Sequence, residues 1–485
     1  MSQKYIIIKY LIFFLFNFHF VNSEIIFVYE NCRHGVRGPL IKFKSSNLDN
    51  NTLYYDEFNI FWEGGKEDLT LKGKIQMYIL GIRNRYYYPN LINYTKYNSD
   101  EILVHVSRSI RVKKSAYYHL LGMFNPIITK NNTNIITNIS NKFYYPPNYN
   151  IWQKISNNID MNIINEAELS IKYLLEDNNA NKFFENDKNH YTYHQYSKNR
   201  TFYVKNKCKN YDKYMEHNYK NKYKKLIQDN LEKKYGNIFK TYFKYDKSDY
   251  LYNIRNSSTL IDNYIVNYYE EKNLSDFFYK TKIDKEEFYK TSLLIYEWWL
   301  YNIVADDKIC MIESSKIMKD LIEYFENKIN NKNKINIVID LGHDITVGSM
   351  QNFMHQVFGV EYYNCQFACN LFFELHKDKD KYYIKYFIDE KLMLNINYEI
   401  FKKKVIEKIW SQKDIDNFCF GNVILILYPN LYLFLTFLIM TLIIFIFVFI
   451  SCKYYKECLK MKKTNKKGEK YNEENKENSK ELELL

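Results

Sequence analysis

Residues Arg33-His34-Gly35-Val36-Arg37-Gly38-Pro39 concentrate amino acids that the rest of the chain uses sparingly. They take two of its eight arginines, two of its 13 glycines and one of its six prolines. The other 61 of the 69 cations are lysine, so an arginine here is a choice of chemistry. A planar guanidinium is needed where two parallel hydrogen bonds must grip a phosphate or carboxylate. Arg33, Arg37 and Arg108 each fall just past a short apolar run. Three such cations around one pocket would bind a phosphoryl dianion and stabilise its charge during transfer. A helix start near 107–110 would add N–H donors. Two histidines, His34 and His343, also follow apolar runs. One can attack phosphorus to give a phosphohistidine, and the other can hydrogen-bond a phosphoryl oxygen. Asp344, next to His343, can protonate the leaving oxygen.

Positioning such residues requires strands that end together. Three five-residue runs, 25–29, 102–106 and 335–339, read as buried strands, and each delivers polar residues at its carboxyl end. Helical patterns follow at 69–86, with Thr70 as a cap, and at 107–124 and 345–358. Alternation of this kind predicts an α/β fold with a mainly parallel sheet flanked by helices, whose ligands bind beyond the strand ends. The stretch 146–330 is rich in Asn, Lys and Tyr, with apolar helical spacing at 288–303 and 317–329. It reads as an inserted, mainly helical cap. Strands return near 371–373 and 382–387. The core is thus expected in two parts, 24–145 and 331–425.

The ends of the chain point to a membrane. Residues 1–23 have a cationic start, an apolar middle and small residues at 21 and 23, as a signal peptide does. Residues 431–450 carry no charge, long enough for a transmembrane helix (431–452), and seven lysines between 453 and 467 follow it. A single-pass type I arrangement is expected, with the body in a lysosome-like lumen or outside the cell. The tail, 453–485, is expected to lie in the cytosol without structure. Six cysteines (32, 208, 310, 365, 369, 419) would then meet an oxidising space, with their pairing open. Glycosylation sequons occur at Asn50, Asn93, Asn131, Asn138, Asn199, Asn256 and Asn273. The net charge of +13 reflects lysine-rich composition. It lacks the Arg/aromatic module of a nucleic-acid binder.

Taken together, these motifs resemble the histidine acid phosphatases of the phosphoglycerate-mutase-like superfamily. The resemblance covers about 24–125 and 335–420. It rests on Arg33–Pro39, on Leu69-Thr-Leu-Lys-Gly73 with Gln76, Gly81, Arg83 and Arg85, on Ser107-Arg108-Ser109, and on Gly342-His343-Asp344. From Asp344 through Cys369 and Glu374 it is most similar to the lysosomal and prostatic type. It implies that His34 is the nucleophile, that Arg33, Arg37, Arg108 and His343 bind phosphate, and that Asp344 is the leaving-group acid. It further implies no metal and no cofactor, and a cap inserted after the Arg108 helix. Arg111 departs from the pattern, since relatives often carry a carboxylate there. The expected partners are a phosphomonoester substrate and a membrane, not nucleic acid, with a homodimer left open. Narrower alternatives are a phytase-like or lysophospholipid phosphatase, and a non-catalytic ligand-binding ectodomain.

Overall fold

In the computed structural model, the first apolar run extends further than its hydrophobicity requires. The structure describes residues 23–40, 67–94, 97–124, 208–243, 254–363, 366–421 and 429–482, with short pieces between 54 and 62 and at 194–195. The signal segment, Cys365 and the sequons at Asn50, Asn131, Asn138 and Asn199 lie outside these residues. The chain divides into two units, Met1–Cys419 and Phe420–Leu485.

In the first unit, β1 (Glu24–Arg33) is followed by the two-residue strands β2 (Tyr54–Tyr55) and β3 (Phe61–Trp62). Next come α1 (Leu71–Tyr87), β4 (Ile102–Val106), α2 (Ile110–Phe124) and β5 (His194–Gln195). A helical stretch then comprises α3 (Tyr211–Ile227), a π turn at Gln228–Glu232, α4 (Lys233–Phe243), α5 (Ile254–Tyr269), α6 (Ser275–Thr281), α7 (Lys285–Ala305) and α8 (Asp307–Ile329). The chain returns to the sheet with β6 (Ile337–Gly342), α9 (Asp344–Phe358), β7 (Asn370–Asp378), β8 (Lys381–Ile388) and β9 (Lys391–Asn397). Two helices, α10 (Tyr398–Lys408) and α11 (Gln412–Phe420), close it.

The sheet has seven strands in the order β5-β4-β6-β1-β7-β8-β9. Its first half is parallel, as the alternation predicts. From β1 onward it continues as an antiparallel meander, so the sheet as a whole is mixed. Period-two alternation sorts β6 between two cores. Ile337, Ile339 and Leu341 face α1 and α2, while Val338 joins the core under α8 and α9. The helix α8 falls within the 146–330 stretch, yet it packs on the sheet through Met318, Leu321 and Phe325. The other described helices of that stretch bury a separate cluster around Leu260, Tyr264, Phe277 and Phe288.

The predicted cap of α1 is present, Thr70 Oγ1 accepting from the Gly73 N–H at 3.1 Å. At the crossing of α1 and α2, a Cβ on Gly81 would stand 1.9 Å from the His119 carbonyl oxygen. Arg83 pairs with Glu390 at 2.9 Å over the Phe372 ring. One disulfide, Cys208–Cys419, ties the start of α3 to the end of α11, a closure worth about 2–5 kcal/mol. Cys32, Cys310 and Cys369 are buried.

In the second unit, α12 (Pro429–Leu482) contains one segment long and apolar enough to cross a membrane, Leu433–Lys463. Here the structure differs from the expectation for the tail, because the helix runs on through Leu482. Lysine and glutamate, both good helix formers, dominate that stretch and explain the continuation.

A buried pair links the sheet to α1 and α2. Glu30 and His119 are fully buried and 3.4 Å apart, and Asn84 Nδ2 reaches both. Burial raises Glu30 to about 7, against the pull of Asn84 and Arg83. Burial, reinforced by Arg83, lowers His119 to about 3. Glu30 therefore contributes stability fully below its usual value of 4.5, and that contribution is lost as pH rises through about 7. His119 contributes fully above 6.5, and loses it as pH falls toward about 3. Between 4.5 and 6.5 the two slopes oppose each other and the native protein should hold its stability. Glu30→Gln leaves only the histidine slope. In urea unfolding it should lose about 2–3 kcal/mol between pH 6.5 and 4.5 relative to the native protein. An unchanged pH profile would show that this pair is not neutral when folded.

Candidate active site

Two parallel strands ending in register create the site. Arg33 of β1 lies opposite Gly342 of β6, and the His34 N–H bonds the Gly342 carbonyl at 3.2 Å. The next residue on each strand is a histidine, so His34 and His343 stand together, with ring centroids 5.5 Å apart. The end of β4 is one strand further on, Val106 facing Leu341, and this puts Ser107 Oγ 3.1 Å from His343 Nε2. His343 stands at the N-cap position of α9 without a side-chain capping bond, and Asp344 occupies the first turn with Oδ1 accepting from the Ile345 N–H at 2.9 Å.

Close packing against the first turn of α1 fixes the loop after β1. A Cβ on Gly35 would lie 2.3 Å from the Gly73 carbonyl oxygen, and one on Gly73 would lie 2.1 Å from that of Val36. No larger residue fits at either position without moving backbone. The Val36 N–H donates to Gln76 Oε1 at 3.0 Å, and Arg37 bridges to Leu69. The glycines and Gln76 of the α1 motif thus hold His34 in place.

His34 has one consistent neutral tautomer. Nδ1 lies 2.8 Å from the Gly35 carbonyl, which can only accept, so Nδ1 carries the proton. Nε2 then presents its lone pair, and Arg111 Nε donates to it at 3.1 Å. Burial first, then Arg111, His343, Arg33 and Arg37, hold the His34 pKa well below its usual value. The ring therefore stays unprotonated, and nucleophilic, in acid. His343 is lowered likewise, by burial and by Arg111, against the pull of Asp344.

Each of the three arginines here meets a carboxylate. Arg33 Nη2 lies 3.0 Å from Asp344 Oδ2, and its guanidinium stacks 4.1 Å from the centre of the Phe367 ring. Arg37 grips Asp262 of α5 with two bonds, of 2.8 and 3.0 Å. Its Nε is buried with no hydrogen-bond partner among the described residues. Arg111 pairs with Glu67 at 2.6 Å. Burial would raise the Asp344 pKa, but Arg33, His343, Arg37 and the Ile345 N–H outweigh it and hold the carboxyl below its usual value. Tyr296 of α7 donates to Asp344 Oδ2 at 3.1 Å and accepts from Arg33 at 2.8 Å.

Of the residues expected from sequence, Arg33, His34, Arg37, His343 and Asp344 come together. Arg108 does not. It is exposed in the turn before α2 and makes no hydrogen bond or ion pair among the described residues. Residues 107–109 form that turn, so the first residue able to reach His34 from inside the helix is Arg111, in its first turn. Arg111 is as scarce a residue type as Arg108, and that scarcity is the signal that could have found it. Asp262 and Tyr296 had no comparable signal, because both lie in the compositionally biased stretch. Charged hydrogen bonds of this kind contribute about 1.5–3 kcal/mol each. Arg111→Met should therefore weaken orthophosphate binding about 10- to 100-fold by calorimetry, while Arg108→Met stays near the native value. His34 should also titrate at higher pH in Arg111→Met, since a cation opposing its protonation is gone. Equal losses in the two variants would contradict this placement.

Comparison with known proteins agrees with the geometry. The profile of the histidine phosphatase superfamily (branch 2) matches residues 24–389. No curated protein matches the chain. Among solved structures, the chain is similar to the phytase from D. castellii, at 12% identity and TM-score 0.47, covering 84% of this chain and 85% of that one. It is also similar to the multiple inositol polyphosphate phosphatase of Bifidobacterium longum, at 11% identity and TM-score 0.47, with 77% and 87% covered. The apo phytase of Hafnia alvei gives 11% and 0.46, with 80% and 97% covered. With the profile spanning β1 to β8, both histidines and all three clustered arginines, the chain belongs to branch 2 of the histidine phosphatase superfamily.

Proposed function

We propose that this chain is a membrane-anchored acid phosphatase that hydrolyses phosphomonoesters through a phosphohistidine on His34. The observation that carries this reading is the His34 ring, its Nδ1 proton tied to the Gly35 carbonyl and its Nε2 lone pair facing the Arg111 guanidinium. The phosphoryl group would displace Arg111 from Nε2 and take hydrogen bonds from Arg33, Arg37, Arg111 and His343. Nε2 attacks phosphorus, the ester P–O bond breaks, and Asp344 protonates the departing oxygen. Water then attacks the phosphohistidine, Asp344 takes its proton, and orthophosphate leaves with His34 restored.

The resting Asp344 is ionised above its lowered pKa. A bound phosphate would offset the arginine field and raise that pKa, so acid favours turnover. Anchoring is supported by the apolar segment Leu433–Lys463 and the lysines that end it. A lumenal or extracellular body, in a type I arrangement, is supported by the Cys208–Cys419 disulfide and by exposed sequon residues Asn93 and Asn273. The finer likeness to the lysosomal and prostatic type rests on residues 344–374.

His34→Ala should show no turnover of p-nitrophenyl phosphate, and acid quenching should trap phosphate on the native protein only. Full activity in that variant would end the proposal. Asp344→Asn should lower kcat roughly 10²- to 10⁴-fold for alkyl phosphates, whose leaving oxygen needs a proton. For p-nitrophenyl phosphate the loss should be much smaller. The same loss with both leaving groups would remove Asp344 from the acid role.

A further inference from the structure

His343 is held at both ring nitrogens. Arg111 Nη2 lies 3.4 Å from its Nδ1, and a guanidinium can only donate, so Nδ1 presents its lone pair. The neutral ring then carries its proton on Nε2, which donates to Ser107 Oγ at 3.1 Å. The same oxygen accepts from the Ser109 N–H at 3.3 Å, so Ser107 serves the ring as an acceptor. Ser107 is buried at the end of β4, and the pairing Val106↔Leu341 sets its height against His343. The two histidines are therefore opposite tautomers. His34 is protonated on Nδ1 and His343 on Nε2, and Arg111 spans their two lone pairs through Nε and Nη2. A phosphoryl group that displaces Arg111 would meet a lone pair on each ring. On His34 that lone pair attacks phosphorus. On His343 it would oppose a phosphoryl oxygen unless a proton stands between them.

We infer that Ser107 is a positioning residue that keeps the His343 proton on Nε2, so that Nδ1 takes the proton a phosphomonoester monoanion brings. This rests on the phosphatase reading above. The proton passes from a phosphoryl oxygen to Nδ1, leaving the phosphoryl group dianionic and the ring with an N–H on each nitrogen. Nδ1–H then donates to the phosphoryl oxygen, and Nε2–H still donates to Ser107. At the end of the cycle orthophosphate takes the proton back and leaves as its monoanion. The charged and titratable groups around the ring are Arg111 of α2, Arg33, His34 and Arg37 at the end of β1, and Asp344 of α9. Burial and three cations, against one carboxylate, keep the resting ring neutral, and a phosphoryl group offsets those cations.

The test is nitrogen NMR of labelled histidines in the purified full-length protein in detergent, with orthophosphate as the probe. In the resting protein His343 should show a protonated Nε2 and an unprotonated Nδ1, and saturating orthophosphate should protonate both. Calorimetry in buffers of different ionisation enthalpy, run on Asp344→Asn to remove the other acid, should give about one proton taken up per phosphate above the second ionisation of phosphate. Ser107→Ala should shift the resting ring toward the Nδ1–H tautomer, weaken orthophosphate binding about tenfold and lower kcat/KM in the same proportion. Ser107→Thr, which keeps the oxygen, should restore all of these. A resting His343 protonated on Nδ1, no proton uptake with phosphate, or a Ser107→Ala protein that loses stability with the proton still on Nε2 would overturn the assignment and leave the phosphatase reading standing. Failure to bind orthophosphate and to turn over any ester would strike the phosphatase reading itself.

Discussion

Three guanidinium groups crowd one neutral imidazole, and the rest of the molecule is arranged to make that tolerable. Like charges confined away from water repel strongly, and an unpaired buried cation costs several kcal/mol. The chain answers with three carboxylates drawn from distant places. Asp344 follows β6, Asp262 comes from α5, and Glu67 precedes α1. The Arg33 and Arg37 pairs pin two separate parts of the chain to the end of β1, and the Arg111 pair ties α2 to the segment before α1. The helical stretch is therefore joined electrostatically to the sheet, and Arg37 is secured only when α5 is in place. Burial and the same crowding depress the pKa of both histidines, so the charge pattern that could grip a phosphoryl group also keeps both rings unprotonated.

Beneath the charges is a geometric constraint. The register Arg33↔Gly342 makes two neighbouring strands end at the same height, and the residue after each is a histidine. One residue of slippage would put His343 on the other face of the sheet from its partner. Gly35 and Gly73 permit the loop and helix to touch through backbone, which gives the His34 ring a fixed floor.

The helix α5 does two different jobs. Asp262 faces Arg37, and Ile265, three residues on, lines a small pocket together with Leu293, Leu300 and Phe367. In the same way α7 supplies Tyr296 to Asp344 and Leu293 to the pocket wall. Residues three apart share a helix face. One face of each helix therefore supplies both a polar partner to the charged cluster and a side chain that lines the pocket beside it.

Much of this was legible in the sequence. Scarce arginine and glycine marked Arg33 to Pro39, and the apolar runs located the strands whose ends carry His34, His343 and Asp344. The Thr70 cap and the helical spacing at 288–303 were equally local signals. These features depend on neighbours a few residues away, which a sequence displays directly. Tertiary structure alone decided that Arg111 rather than Arg108 reaches His34, because that turns on where α2 begins. It alone brought in Asp262 and Tyr296, 225 and 263 residues from their arginine partners. It also decided where the parallel part of the sheet stops, by pairing β1 with β7 in the opposite sense. Long-range pairing of buried charges leaves no periodic trace in the chain, so only the folded arrangement could assign the partners.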